Sequence, residues 1–146
     1  MNEKEFEKGV ATLEVLKAQI INLEKQIETL NISIQEHLKA IETLENYASM
    51  SDDEILIPVG AGVFISAKVE GKKGLITIGN DIYVDLEISA IIDKLKTRIR
   101  DLEDLMKKLS EDITTLQQKY ASLSAKLEEE YAKIMQQRGA QDVQGP

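Results

Sequence analysis

The chain lacks cysteine and tryptophan altogether, and it contains one histidine and two prolines. Without cysteine it can form no disulfide, no thiolate metal site and no cysteine nucleophile. The single imidazole of His37 cannot by itself build a zinc site or a Ser-His-Asp triad. Gly60-Ala61-Gly62 lacks the downstream glycine and helix of a dinucleotide-binding fingerprint. We therefore predict no metal, no cofactor and no enzymatic activity.

Positive charge is also scarce. The 146 residues include 18 Lys and Arg against 26 Asp and Glu, a formal net charge of −8. Because Lys and Arg carry most phosphate contacts, this balance argues against nucleic acid and against anionic membranes. The start "MNEKEFEKGV" is too charged for a signal peptide, and no apolar run approaches the ~18–20 residues of a membrane helix. We expect a cytoplasmic protein.

Two long segments repeat apolar residues in steps of three and four, which is the heptad pattern of a coiled coil. We predict helices over residues 1–48 and 89–137, each about 65–70 Å long at ~1.5 Å per residue. The first repeat comprises Phe6, Gly9, Leu13, Leu16, Ile20, Leu23, Ile27, Leu30, Ile34, His37, Ile41, Leu44 and Ala48. The second comprises Ile88, Ile92, Leu95, Ile99, Leu102, Met106, Leu109, Ile113, Leu116, Tyr120, Leu123, Leu127, Glu130 and Ile134.

The two repeats fit each other in antiparallel order. If Ala48 faces Ile88, each apolar residue of the first repeat, out to Leu13 against Leu123, meets one of the second. We therefore predict an intramolecular antiparallel coiled coil, with a long parallel homodimer as the alternative. His37 then serves as a polar seam residue that helps to fix the register.

The distal end of this coiled coil is the weak point of the register. Gly9 falls opposite Leu127 and Phe6 opposite Glu130, so the seam lacks a side chain in one layer and faces a carboxylate in the next. We predict loose packing there. The nearby apolar residues are candidates for binding another molecule, or they simply extend the coiled coil. The tail over residues 138–146 loses the periodicity and is expected to be disordered.

The centre of the chain has a different pattern. Strand signals cover residues 55–59, 63–69, 75–78 and 82–86, and glycine-bearing turns separate them. Four short strands bury little by themselves, and their edges would template aggregation. Residues 49–88 are therefore predicted to form two β-hairpins that assemble with other subunits. The assembly residues would be the apolar strand positions Ile55, Ile57, Val59, Val63, Phe64, Ile65, Val69, Ile76, Ile78, Ile82, Tyr83, Val84 and Leu86.

The order helix, two hairpins, helix, with "ILIPVGAGVFISAKV" and "GLITIGNDIYVDLE" in the centre, resembles the archaeal α-class prefoldin subunit. The resemblance covers residues 6–137 and is strongest at Pro58-Val59-Gly60-Ala61-Gly62, followed by Val63-Phe64-Ile65. It implies an α+β fold, a long antiparallel coiled coil whose hairpins form a β-barrel platform on oligomerisation.

The resemblance further implies a hexamer of two α-class and four β-class subunits. Such a chaperone holds unfolded client polypeptides at its coiled-coil tips without ATP and passes them to a group II chaperonin. The implied tip residues are Phe6, Val10, Leu13, Tyr131, Ile134 and Met135. Two alternatives stay open, namely a self-assembling, filament-forming γ-type prefoldin and a structural scaffold without client binding.

Overall fold

The computed structural model describes residues 1–143 and contains two long helices and four strands. Helix α1 spans Glu3–Ala48 and helix α2 spans Ile88–Val143. Between them lie β1 (Glu54–Gly60), β2 (Val63–Lys68), β3 (Lys73–Gly79) and β4 (Ile82–Glu87). Across residues 1–143, neither helix has a stretch apolar enough to cross a membrane. The predicted α+β fold is confirmed.

The chain divides into two compact units, which are described separately. The helical unit comprises residues 1–31 and the described part of the segment that begins at 104, and it contains helix only. The hairpin unit comprises residues 32–103 and contains all four strands with the adjoining helical segments.

Burial in the helical unit follows the predicted heptads. From Phe6 to Leu30 in α1, and from Met106 to Ile134 in α2, every predicted seam residue is buried or half-buried. Nearly all positions between them are exposed, with Ser124 the exception. Because three-and-four spacing places these residues on one helical face, each helix has a single narrow apolar stripe to cover.

The core of the hairpin unit joins the same seam to one strand. Its buried side chains are Ile34, Ile41, Ile76, Ile88, Ile91, Leu95 and Ile99. His37 is half-buried in the seam, as expected, and its Nδ1 lies 2.6 Å from the carbonyl oxygen of Ser33. This contact satisfies one ring nitrogen within helix α1 itself.

The four strands form two separate antiparallel hairpins with the same backbone plan. In hairpin 1 (β1–β2) the register shifts between Pro58 and Gly60, and in hairpin 2 (β3–β4) between Thr77 and Gly79. Gly60 and Gly79 have φ angles of 110° and 109°, which favour glycine strongly. Each is followed by two residues with positive φ, the type I′ turn that matches strand twist.

Several bounds differ from the sequence-based expectation, and β3 begins two residues earlier than expected, at Lys73. Helix α2 continues through Gly139 to Val143, whereas a disordered tail was expected from residue 138. The three remaining residues of that expected tail lie outside the described part of the chain. Strand β2 ends at Lys68, so Val69 lies just beyond it, although its N–H still donates to the carbonyl of Asp53 over 2.7 Å.

The two turns provide a matched test of local stability. Ala61 and Asn80 occupy the same turn position, with φ angles of 51° and 49°. Cβ crowds the following carbonyl in this left-handed conformation, and Asn tolerates it better than Ala because the Asn side chain can form a local hydrogen bond. We expect Ala61→Asn to raise the free energy of unfolding by about 1 kcal/mol and Asn80→Ala to lower it similarly. Urea unfolding at one fixed protein concentration measures both, and changes of equal sign would contradict the turn assignment.

Candidate functional site

The hairpins expose most of their apolar side chains. Leu56 in β1 and Leu75 in β3 are each 69% exposed, and neither was among the predicted assembly residues. The other exposed members are Ile57, Val59, Val63, Phe64, Ile65, Ile78, Ile82 and Tyr83, all of which the sequence had indicated. Such a density of uncovered apolar groups marks an interaction surface. Alternation along a strand predicts two faces, and both faces of hairpin 1 carry exposed residues.

The remaining predicted assembly residues are partly covered within the chain. Ile76 is only 5% exposed, so it is committed to the core of its own subunit. Ile55, Val69, Val84 and Leu86 are half-buried. Their spacing on the strands could not reveal this, because the same alternation applies to a face covered by the chain's own helices and to one covered by a partner.

Hairpin 2 is fixed to the helices at several points. Arg98 donates from Nη2 to the carbonyl of Thr77 over 2.6 Å, beside the bulge. The backbone N–H of Ile88 donates to the carbonyl of Lys72 over 2.9 Å. At Gly74, an added Cβ would lie 3.0 Å from the Cδ1 of Ile91, so glycine permits close packing on α2.

Hairpin 1 has fewer such ties. Within residues 1–139 no helix side chain forms a hydrogen bond to β1 or β2. The two hairpins thus share one backbone plan but differ in how firmly the chain holds them.

An open groove of about 670 Å³ lies beside hairpin 2. Leu75 and Tyr83 line it from the strands, Ala40 and Leu44 from α1, and Leu95 from α2. Its walls are mainly apolar, so its chemistry is that of a surface that packs against another apolar surface.

The second candidate surface is the end of the helical unit, where α1 begins. Gly9 and Leu127 face each other there, as the register predicts, but the layer is not loose. An added Cβ at Gly9 would lie 2.7 Å from the Cδ2 of Leu127, and Leu127 is only 4% exposed. The glycine makes room for the leucine, so the expectation of loose packing in this layer was wrong.

The layer beyond Gly9 is aromatic. Phe6 stacks on Tyr131, with ring centroids 6.1 Å apart and planes inclined by 30°. Glu130, the predicted neighbour of Phe6, has its Oε2 3.7 Å from the amino group of Met1 and its Oε1 3.7 Å from Nζ of Lys133. The predicted tip residues divide into two classes. Phe6, Leu13 and Ile134 are half-buried, whereas Val10, Tyr131 and Met135 are exposed.

An ion pair joins the two helices at this end. Arg138 Nη2 lies 2.7 Å from Glu3 Oε1, and both side chains are largely exposed. Glu3 and Arg138 were not predicted to act at the tip, and Arg138 falls in the expected tail. Opposite charges flanking a seam are the one available signal for such a pair. The charge pattern alone could not select it, since four other charged residues lie in the first eight positions of the chain.

Glu3, Phe6, Glu7, Tyr131, Ile134, Met135 and Arg138 together line a groove of about 280 Å³, here called the tip groove. It combines apolar walls with a charged rim. Among the described side chains, those of residues 1–139, no three of His, Asp or Glu are grouped in a way that could hold a metal ion. The groove is suited to non-covalent contact with an apolar group.

Comparison with known proteins identifies relatives over most of the chain. A family model described as "Prefoldin subunit" matches residues 16–133. Prefoldin subunit alpha of Archaeoglobus fulgidus is 33% identical, over 75% of this chain and 81% of that protein. Prefoldin subunit alpha 1 of Methanocaldococcus jannaschii is 35% identical, over 66% of each. Of the predicted tip residues, Tyr131 alone lies within the family match.

Two solved structures are similar as well. A filamentous prefoldin from Methanocaldococcus jannaschii aligns with a TM-score of 0.50 at 27% identity, covering 87% of this chain and 98% of that one. The prefoldin beta subunit from Thermococcus strain KS-1 aligns with a TM-score of 0.60 at 19% identity, covering 86% and 90%. At 19% identity, the similarity to the beta subunit shows a shared fold only.

A double-mutant cycle tests the Gly9–Leu127 layer. Leu127→Ala removes a buried side chain and should lower the free energy of unfolding by about 2–5 kcal/mol, whereas Leu105→Ala, at an exposed position, should change it little. Gly9→Ala adds about 1 kcal/mol of helix propensity but crowds Leu127. We therefore expect Gly9→Ala to raise the free energy of unfolding more in the Leu127→Ala background than in the parent. Equal effects in both backgrounds would show that the layer is loose.

Proposed function

The chain belongs to the prefoldin family, and from that membership we propose that it is an α-class subunit of an ATP-independent cytoplasmic chaperone. In this proposal it assembles through its hairpins, captures unfolded polypeptides at the ends of its coiled coils, and passes them to a group II chaperonin. The observation that carries it is the pair of hairpins, whose apolar side chains the chain leaves uncovered.

Assembly follows from the energetics of those hairpins. A two-stranded sheet is marginal in water, and its edges offer unpaired N–H and C=O groups to other strands. Burial of exposed apolar surface contributes about 25 cal/mol per Å², so a partner strand over Phe64 or Leu75 is favourable. We propose a hexamer of two such chains and four β-class subunits, in which hairpins from several subunits close into barrels.

Client capture is assigned to the tip groove and its surroundings. Exposed Val10, Tyr131 and Met135 supply apolar contact area without any catalytic group. One tip buries little surface and would bind weakly. Several tips acting on one chain raise the overall affinity through effective concentration.

A filament is the second candidate. The similarity to the filamentous prefoldin covers nearly that whole chain, so a filament is a second form of assembly to test, and we propose that it would use the same hairpins. In that case one copy of this chain would cover the strands of the next.

Mass measurement separates these assemblies. We expect the purified chain alone to form a small oligomer and, with an archaeal β-class subunit, a hexamer with two α-class and four β-class chains. The reason is that the exposed strand surface is buried fully only against a subunit of complementary shape. Native mass spectrometry and light scattering measure the mass of both preparations. Long polydisperse particles from the chain alone would favour the filament.

The control tests whether the hairpins carry the assembly. The double variant Phe64→Ser/Leu75→Ser should prevent hexamer formation. The control Ile32→Ser removes a similarly exposed apolar side chain from helix α1 and should leave the hexamer intact. Helical content by circular dichroism should be unchanged in both variants, and an intact hexamer of the double variant would contradict assembly through the hairpins.

Aggregation suppression tests client capture on the assembled hexamer. The double variant Tyr131→Ser/Met135→Ser removes exposed apolar surface from the tip and should reduce protection of a chemically denatured client several-fold. Val15→Ser/Ile21→Ser removes two side chains of comparable exposure from α1, outside the tip groove, and should retain protection. Equal losses in the two variants would place capture elsewhere, and no protection by the parent would favour the structural scaffold.

A further inference from the structure

The tip groove has a charged rim as well as apolar walls, and the proposal drawn from it rests on client capture as proposed above. Drug-sized ligands occupy pockets of about 300–1,000 Å³. At about 280 Å³, the tip groove is below that range and suits a single bulky side chain. Phe6, Tyr131, Ile134 and Met135 provide its apolar contacts.

The rim is asymmetric in charge. Glu3 and Glu7 both line the groove, and Arg138 is the one cation among the lining residues. Arg138 is paired with Glu3, whereas Glu7 has no ion-pair partner among residues 1–139, whose side chains the structure describes. The rim therefore offers one carboxylate without a counter-ion, and a second if Arg138 moves away.

The Glu3–Arg138 pair connects the two helices across this groove. Both side chains are more than half exposed, so the pair is weak and can exchange partners readily. The Gly9–Leu127 layer, by contrast, is buried and tightly packed. Opening at this end can therefore be confined to the residues beyond Gly9, without separating the rest of the seam.

We propose that the tip groove selects a segment of unfolded polypeptide in which a bulky apolar residue stands next to Lys or Arg. The apolar side chain enters between the aromatic pair and Met135. The adjacent cation pairs with Glu7 or replaces Arg138 at Glu3. Releasing Arg138 removes the link between the helices and admits the side chain, so the charge of the client sets how easily the groove opens.

Two labelled, unstructured peptides test this on the assembled protein by fluorescence anisotropy. They share the same Leu and Phe residues, flanked by Lys in one peptide and by Glu in the other. We expect the Lys-flanked peptide to bind more tightly, and Glu3→Gln or Glu7→Gln to reduce the ratio of the two affinities about two- to fivefold, the range for an exposed ion pair. Arg138→Gln should tighten binding of both peptides, because it removes the link.

Matched controls distinguish the effect of the rim carboxylates on binding from a general attraction of the Lys-flanked peptide to an acidic protein. Glu14→Gln removes an exposed carboxylate of α1 outside the groove, and Lys126→Gln removes an exposed cation of α2 outside it. Neither should alter the affinity ratio. If Glu14→Gln lowers the ratio as much as Glu3→Gln does, general attraction to an acidic protein explains it and the proposal is wrong.

Two further outcomes overturn the proposal and distinguish it from the chaperone function. If the parent binds both peptides equally, the groove does not select by charge and the proposal is wrong, whereas capture of apolar segments is not contradicted. Binding of neither peptide removes the tip groove as a binding site. The aggregation assay on the same preparation then shows whether client capture occurs elsewhere or not at all.

Discussion

The structure depends on the narrow apolar stripe that each long helix carries. A stripe at three-and-four spacing can be buried only against a second stripe of matching spacing, and the two helices of this chain supply both. Within each unit the seam residues are the buried ones and the intervening positions face solvent. The helices therefore cover their apolar stripes against each other, whereas the strands between them leave most of their apolar side chains exposed.

The two hairpins share one backbone plan but differ in how firmly they are held and in how well their side chains are covered. Both have the glycine-bearing bulge and the same turn, so their local geometry is nearly the same. Hairpin 2 commits Ile76 to the core and is held by Arg98, while hairpin 1 leaves both faces open. A firmly held hairpin presents its outer face in a defined position, and a less anchored one can adapt to a neighbour. Assembly through a mixed pair of this kind is compatible with partners of more than one class.

The tip combines a tight layer with a weakly held end. Leu127 packed over Gly9 forms a buried contact, and beyond it lie an aromatic stack and an exposed ion pair. Such an end leaves its apolar groups partly covered. It can also release them at small free-energy expense, because exposed ion pairs contribute only about 0–1 kcal/mol.

The sequence by itself determined the two helices, their antiparallel register down to Gly9 opposite Leu127, the four strands and the turns between them. These features depend on the spacing of apolar residues and on residues with special backbone preferences, and both can be identified from the amino-acid sequence. Only the tertiary structure decided that Leu127 fills the space above Gly9, that Phe6 stacks on Tyr131, and that Ile76 is covered while Leu75 is not. It also decided that Arg138 continues the helix and reaches Glu3. These outcomes depend on how side chains from distant parts of the chain fit together in space, and spacing along the chain carries no information about that fit.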